Sequence, residues 1–74
     1  MEIPIAQMPG VSEESAKIFI NLGYETSSEI FGIYLLNKKN IDEMDRILRL
    51  MVPIMTPEDR GACIDFIATW GDNI

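Results

Sequence analysis

The chain has a single thiol, Cys63, and no histidine. A cysteine nucleophile acts as its thiolate and needs a base to draw off the proton. With no imidazole to serve it, Cys63, on the apolar stripe of a helical segment, reads as a buried inert side chain. One thiol also cannot build a four-ligand zinc site. Asp42, Glu43 and Asp45 are crowded in sequence, but they point around a helix and lack the loop of a calcium site. They read as a solvated acidic face, and no metal is expected. There is no Ser/His or Cys/His pair, no phosphate loop with its lysine and no glycine-rich nucleotide fingerprint. The chain is therefore expected not to be an enzyme, with no catalytic residues, no cofactor and no small-molecule substrate. What remains is backbone chemistry. Met8-Pro9-Gly10-Val11-Ser12 sets a tight glycine turn at the start of a helix, where N–H groups can bind a phosphate without reading base sequence. An ordinary turn before a capped helix explains these five residues equally well.

Charge and size narrow the partners. Twelve Asp and Glu face six Lys and Arg, a net charge of −6, which opposes binding nucleic acid by charge alone. The longest apolar stretch, Ile30 to Leu36, is too short to span a bilayer, and the opening Met1-Glu2-Ile3-Pro4-Ile5 lacks the basic region and long apolar run of a signal peptide. No membrane insertion is expected. A chain of 74 residues makes one domain, 1–74. A domain this small buries only about 60% of its unfolded surface, so it usually needs a staple. With disulfides and zinc excluded, a second copy is the staple left. Hydrophobic residues make up 47% of the chain, and surplus apolar surface on so small a fold is expected to meet a partner.

The elements follow from their start and stop signals. Residues 1–9, with Pro4 and Pro9, read as an extended lead-in. A first helix begins at Ser12, with Glu13 and Glu14 at its positive end and Gly23 as its stop. Thr26-Ser27-Ser28-Glu29 is a capping box that opens a second helix running to about Leu36. After Asn37-Lys38-Lys39, Asn40 caps a third helix, with Glu43 completing a box-like pair and Ile41, Met44, Ile47, Leu48 and Met51 in helical period. Pro53 ends it. Thr56-Pro57-Glu58-Asp59 opens a fourth, with Cys63, Phe66, Ile67 and Trp70 as its apolar stripe and Gly71 as its close. The expected fold is all-α, a compact bundle of four or five short helices containing a helix-hairpin-helix region over 10–36.

In order and spacing the chain resembles the barrier-to-autointegration factor family from about Pro4 to Ile74. The resemblance rests on Pro4-Ile5, Met8-Pro9-Gly10-Val11, Lys17, Gly23-Tyr24, Phe31 through Lys39, and Asp65 through Trp70-Gly71-Asp72. It implies a SAM-like helical protomer that pairs as a homodimer. It implies non-specific binding of double-stranded DNA through the hairpin, so that one dimer bridges two duplexes. It also implies nuclear partners, LEM-domain and lamin proteins among them. Candidate DNA contacts on this resemblance are Gly10, Val11, Ser12, Lys17, Lys39 and Arg60.

The departures from the family matter as much. Its basic N-terminal segment has no counterpart in these residues. The second glycine of the hairpin turn is Ser12, basic positions fall at Ile18, Leu22 and Gly61 (with Arg60 adjacent), and an apolar side chain of the partner groove falls at Glu43. On a helical wheel Ala16, Phe19 and Ile20 form one arc, and Ile18 and Leu22 widen it to roughly 200°, against the ~100° a surface helix normally buries. The excess lies where relatives keep cations for phosphate, so DNA affinity is expected to be weak or absent. A mid-helix Gly32, at a cost of roughly 1 kcal/mol against Ala, points to close helix approach at a dimer interface with Ile33, Tyr34 and Leu36. The partner surface is expected at Ile18, Leu22, Glu43 and Ile47. For the lysine pair a solvated turn is the plainer reading, and for Trp70 a core anchor.

The expectation is thus a dimeric, non-enzymatic adaptor at chromatin or the nuclear envelope, located in the nucleus, or alternatively the cytoplasm, with DNA binding weakened. Two alternatives stay open: a non-specific DNA-bridging protein, and a SAM-like oligomerisation domain with no nuclear role.

Overall fold

The computed structural model describes residues 2–72; Met1, Asn73 and Ile74, the ends of the expected domain, lie outside the described residues. Four α-helices carry the chain: α1 (Glu13–Asn21), α2 (Ser27–Leu36), α3 (Ile41–Met51) and α4 (Pro57–Asp72). The all-helical expectation is borne out. Among the described residues the only extended pairing is an isolated bridge between Pro4 and Thr26.

That bridge corrects the lead-in, which is tied down along its length. The Ile5 N–H donates to the Glu25 carbonyl and the Ser27 N–H to the Ile3 carbonyl, both at 2.9 Å. The Ile3 N–H donates to Ser27 Oγ at 2.9 Å, which is how a serine comes to be fully buried. A 3-10 turn at Ile5–Gln7 then turns Ile5 and Met8 into the core against α1. Apolar burial at Ile5 and Met8 overrode the extended reading that two prolines suggested.

The caps were read well at three helices and amended at one. Ser12 Oγ accepts from the Ser15 N–H at 3.1 Å, Asn40 Oδ1 from the Glu43 N–H at 3.0 Å, and Thr56 Oγ1 from the Asp59 N–H at 3.1 Å. At α2 the Thr26 side chain makes no cap bond. Glu29 instead reaches back to the Glu25 N–H at 3.0 Å, one residue earlier than a capping box requires. Glu43, expected to complete a box, pairs with Arg46 one turn on.

The helix ends also have specific chemistry. At α1, Gly23 takes φ +96°, the Tyr24 N–H reaches the Phe19 carbonyl and the Gly23 N–H the Ile20 carbonyl, a Schellman motif. At α2 the same motif is built on lysine. Lys38 and Lys39 take φ 58° and 59°, and their N–H groups donate to the Leu35 and Tyr34 carbonyls. Left-handed backbone at a residue with a Cβ costs about 1 kcal/mol or more, which the two closed hydrogen bonds offset. The lysine pair is therefore a turn-former. Gly71 is not the stop expected of it: α4 runs on to Asp72. A Cβ at Gly71 would stand 3.3 Å from both the Phe31 and Tyr34 rings, so its glycine serves helix packing.

The core is one cluster. Cys63, Ile64 and Ile67 of α4 are buried with Ile30, Phe31 and Tyr34 of α2, Met44 and Leu48 of α3, and Ala16 and Phe19 of α1. Val52 and Met55 close it from the α3–α4 loop. Trp70 stacks on Phe31 with ring centroids 4.6 Å apart, as the anchor expected of it. Two members of the helical apolar rows, Ile20 on α1 and Ile41 at the start of α3, are exposed.

Candidate nucleic-acid and protein surfaces

Gly10 takes φ +80°, and a Cβ there would lie 2.1 Å from the Asp59 carbonyl oxygen. The hairpin turn is thus pressed onto the first turn of α4, and its glycine is required by packing within the protomer. That first turn carries Glu58 and Asp59. The first turn of α1, the end that a phosphate-binding hairpin would present, carries Glu13 and Glu14. Carboxylates at a helix N-terminus satisfy its positive end, so the turn meets an incoming phosphate with its own negative charge. Val11 is half-buried against the core, and Ser12, exposed, uses its hydroxyl as the cap.

The cations are mostly engaged elsewhere. Arg60, its side chain only 12% exposed, donates to Asp45 Oδ1 at 2.8 Å and to the Met55 carbonyl at 3.1 Å, lashing α4 to α3 and its loop. Arg49 shares Asp45 at 3.4 Å, and Arg46 pairs with Glu43. Lys39 Nζ reaches the Gly71 carbonyl at 3.4 Å, a cation at the negative end of α4. Among the described residues Lys17 and Lys38 are the cations whose side chains make no hydrogen bond or ion pair. Of the six candidate DNA contacts, Lys17 alone offers an exposed, unengaged charge.

The apolar surface is better supplied. Among the described residues Ile20, Leu22, Leu35, Leu36, Ile41, Leu50 and Ile54 stand exposed, Leu36 at 84% and Leu50 at 70%. Helix α2 is apolar nearly all round, the pattern of a helix covered on every side. Ile30, Phe31 and Tyr34 fill one side, while Leu36 lies one turn beyond Gly32 on the other. Nothing lies within 4 Å of where a Gly32 Cβ would be, so the space over α2 is open. Ile33 is half-buried at the edge of this face. Tyr34 must be moved: it is buried beside Phe31 and under Gly71, inside the protomer's own core, and Leu35 takes its place outside.

The expected partner residues divide. Leu22 is 51% exposed, and Ile18 is half-buried against the core, so the first helix needs only part of its wide apolar arc. Glu43 and Ile47 are half-buried on α3, Glu43 held by Arg46. Leu50, three residues after Ile47, extends that side outward. Sequence reasoning passed it over, although the i, i+3 step from Ile47, outside the Met44–Leu48–Met51 core row, marks it.

No cluster among the described residues suits a metal ion. Burial pushes the Cys63 thiol up from 9.0 to about 12. It is expected not to react with a thiol reagent at pH 8 in the native protein and to react fully in denaturant. Between pH 9 and about 12 the unfolded thiol ionises while the folded one keeps its proton, so its contribution to stability is whole below pH 9 and is lost as pH rises through that window. No helix among the described residues is long and apolar enough to cross a membrane.

A family model, barrier to autointegration factor, matches residues 1–74. No curated protein and no solved structure matches the chain. That family is non-enzymatic; its members bind DNA, dimerise and associate with chromatin. With its helical architecture and a match over every residue, the chain belongs to the barrier-to-autointegration-factor family.

Proposed function

We propose that the chain acts as a homodimer that joins proteins at chromatin in the nucleus, having given up most of its DNA contact. One observation carries this reading: large apolar side chains stand exposed over α2 and beyond, while most of the cations are tied up within the protomer. Exposed apolar patches mark protein-binding sites, and a duplex is held by free cations that displace its counterions. The open side of α2, with Gly32, Ile33, Leu35 and Leu36, serves as the dimer seam. Leu22 of α1 and the Glu43–Ile47–Leu50 side of α3 remain for a nuclear or chromatin protein.

A second reading, DNA bridging, draws on Lys17, exposed and unengaged on the helix that follows the hairpin. A titration of labelled random duplex separates the two. At about 150 mM salt the native chain is expected to show no sub-micromolar binding; such binding, abolished by Lys17→Ala, would overturn the adaptor reading. The double change Glu14→Lys and Leu22→Lys should raise affinity about tenfold or more and steepen the salt dependence by about one to two contacts' worth.

A further inference from the structure

Between α3 and α4 the surface sinks into an open groove of about 470 Å³. It lies on the side of α3 that carries Asp42, Asp45 and Arg49, roughly 80° or more around the helix from Glu43, Ile47 and Leu50, and is therefore separate from the surfaces assigned above. Its base is Ile64, buried, and Gly61; Ile41 stands at its edge, 52% exposed. Gly61 is a glycine in the interior of a helix, where alanine would be more stable. Nothing lies within 4 Å of where its Cβ would be. No contact inside the protomer requires the missing side chain; its effect is to keep the groove open.

The charges say what enters. Three carboxylates, Asp42, Asp45 and Asp65, line the groove against one guanidinium, Arg49. Asp45 is already shared by Arg49 and Arg60. Among the described residues the side chains of Asp42 and Asp65 make no hydrogen bond or ion pair. An apolar floor between unneutralised carboxylates complements an aliphatic side chain flanked by cations. We infer that this groove is a docking site for a basic segment of a partner protein, one leucine- or isoleucine-like side chain over Gly61 and neighbouring lysines or arginines against Asp42 and Asp65.

The test is fluorescence anisotropy with the whole chain and a labelled synthetic peptide carrying leucine between lysines and arginines. A peptide with glutamines for the cations and one with glycine for the leucine serve as controls. The basic peptide should bind, and both controls should bind about tenfold more weakly or worse, because charge and apolar contact are both required. Gly61→Leu should cut binding about tenfold or more by filling the groove, while Gly61→Ala, with the same or a higher melting temperature, should stay within about twofold. Asp42→Asn with Asp65→Asn should weaken binding and flatten its salt dependence. Because the groove lies away from the α2 seam, Leu36→Glu should leave binding intact, so failure of the dimer and failure of the groove register separately. Undiminished binding to Gly61→Leu, or equal binding of the glutamine peptide, would overturn the inference, as would no binding of the basic peptide at all.

Discussion

Gly10→Ala is expected to be strongly destabilising, lowering the melting temperature by roughly 12–40 °C. The new methyl would sit 2.1 Å from the Asp59 carbonyl oxygen, on a residue at φ +80°. Backbone forms this contact, so no side-chain rotation relieves it, and the first turn of α4 must move by more than an ångström. Left-handed strain and overpacking together cost about 3–5 kcal/mol. A domain of this size has only about 4–11 kcal/mol in all, so the variant gives up a large share of its stability at one position. Thermal melts followed by circular dichroism check it. Gly32→Ala is the control: a Cβ there meets nothing, and the change should be neutral or stabilising by up to about 1 kcal/mol. A Gly10→Ala melting temperature within a few degrees of the parent would mean the hairpin does not rest on α4. It would return Gly10 to the phosphate-facing role that the resemblance alone suggested.

On the proposed α2 seam, Leu36→Glu should leave a folded single protomer in place of a dimer. Leu36 is the most exposed large apolar side chain among the described residues, and its own protomer leaves it uncovered. In a two-fold interface every change is made twice. A carboxylate forced into a dry seam costs about 2–3 kcal/mol per copy, which weakens association by about 10³-fold or more. Light scattering after size exclusion should read one chain in place of two, with the helical spectrum unchanged. Gly32→Glu should act in the same way. The open space above Gly32 makes a folded monomer the expected result. If both variants remain dimers, the seam is not on α2 and the apolar surplus must be covered elsewhere.

Much of this protein was settled by local chemistry. Ser12, Asn40, Thr56 and Pro57 start helices whatever surrounds them, because each helix leaves N–H groups without internal partners and these residues satisfy or omit them. Absent histidine, a lone thiol and a net charge of −6 removed whole classes of chemistry before any fold was known. The surplus of apolar residues was also legible, since it is a matter of composition and spacing. Tertiary structure decided everything that depends on which surfaces meet. Ile20 and Ile41 fall in the apolar rows of their helices yet stand exposed, and Tyr34, expected at a dimer face, is buried, because a helical wheel counts angles and cannot know which arc a neighbouring helix covers. Gly10 and Gly71 looked like a phosphate turn and a helix stop, yet each is held by contact with another element, at Asp59 and at Phe31 with Tyr34. Arg60 looked free for a phosphate until the approach of α4 to α3 brought it onto Asp45, fifteen residues away in the chain. Propensity and capping act over one turn and are written in adjacent residues. Burial, close approach and ion pairing act between segments, and no residue's type says which segment will arrive beside it.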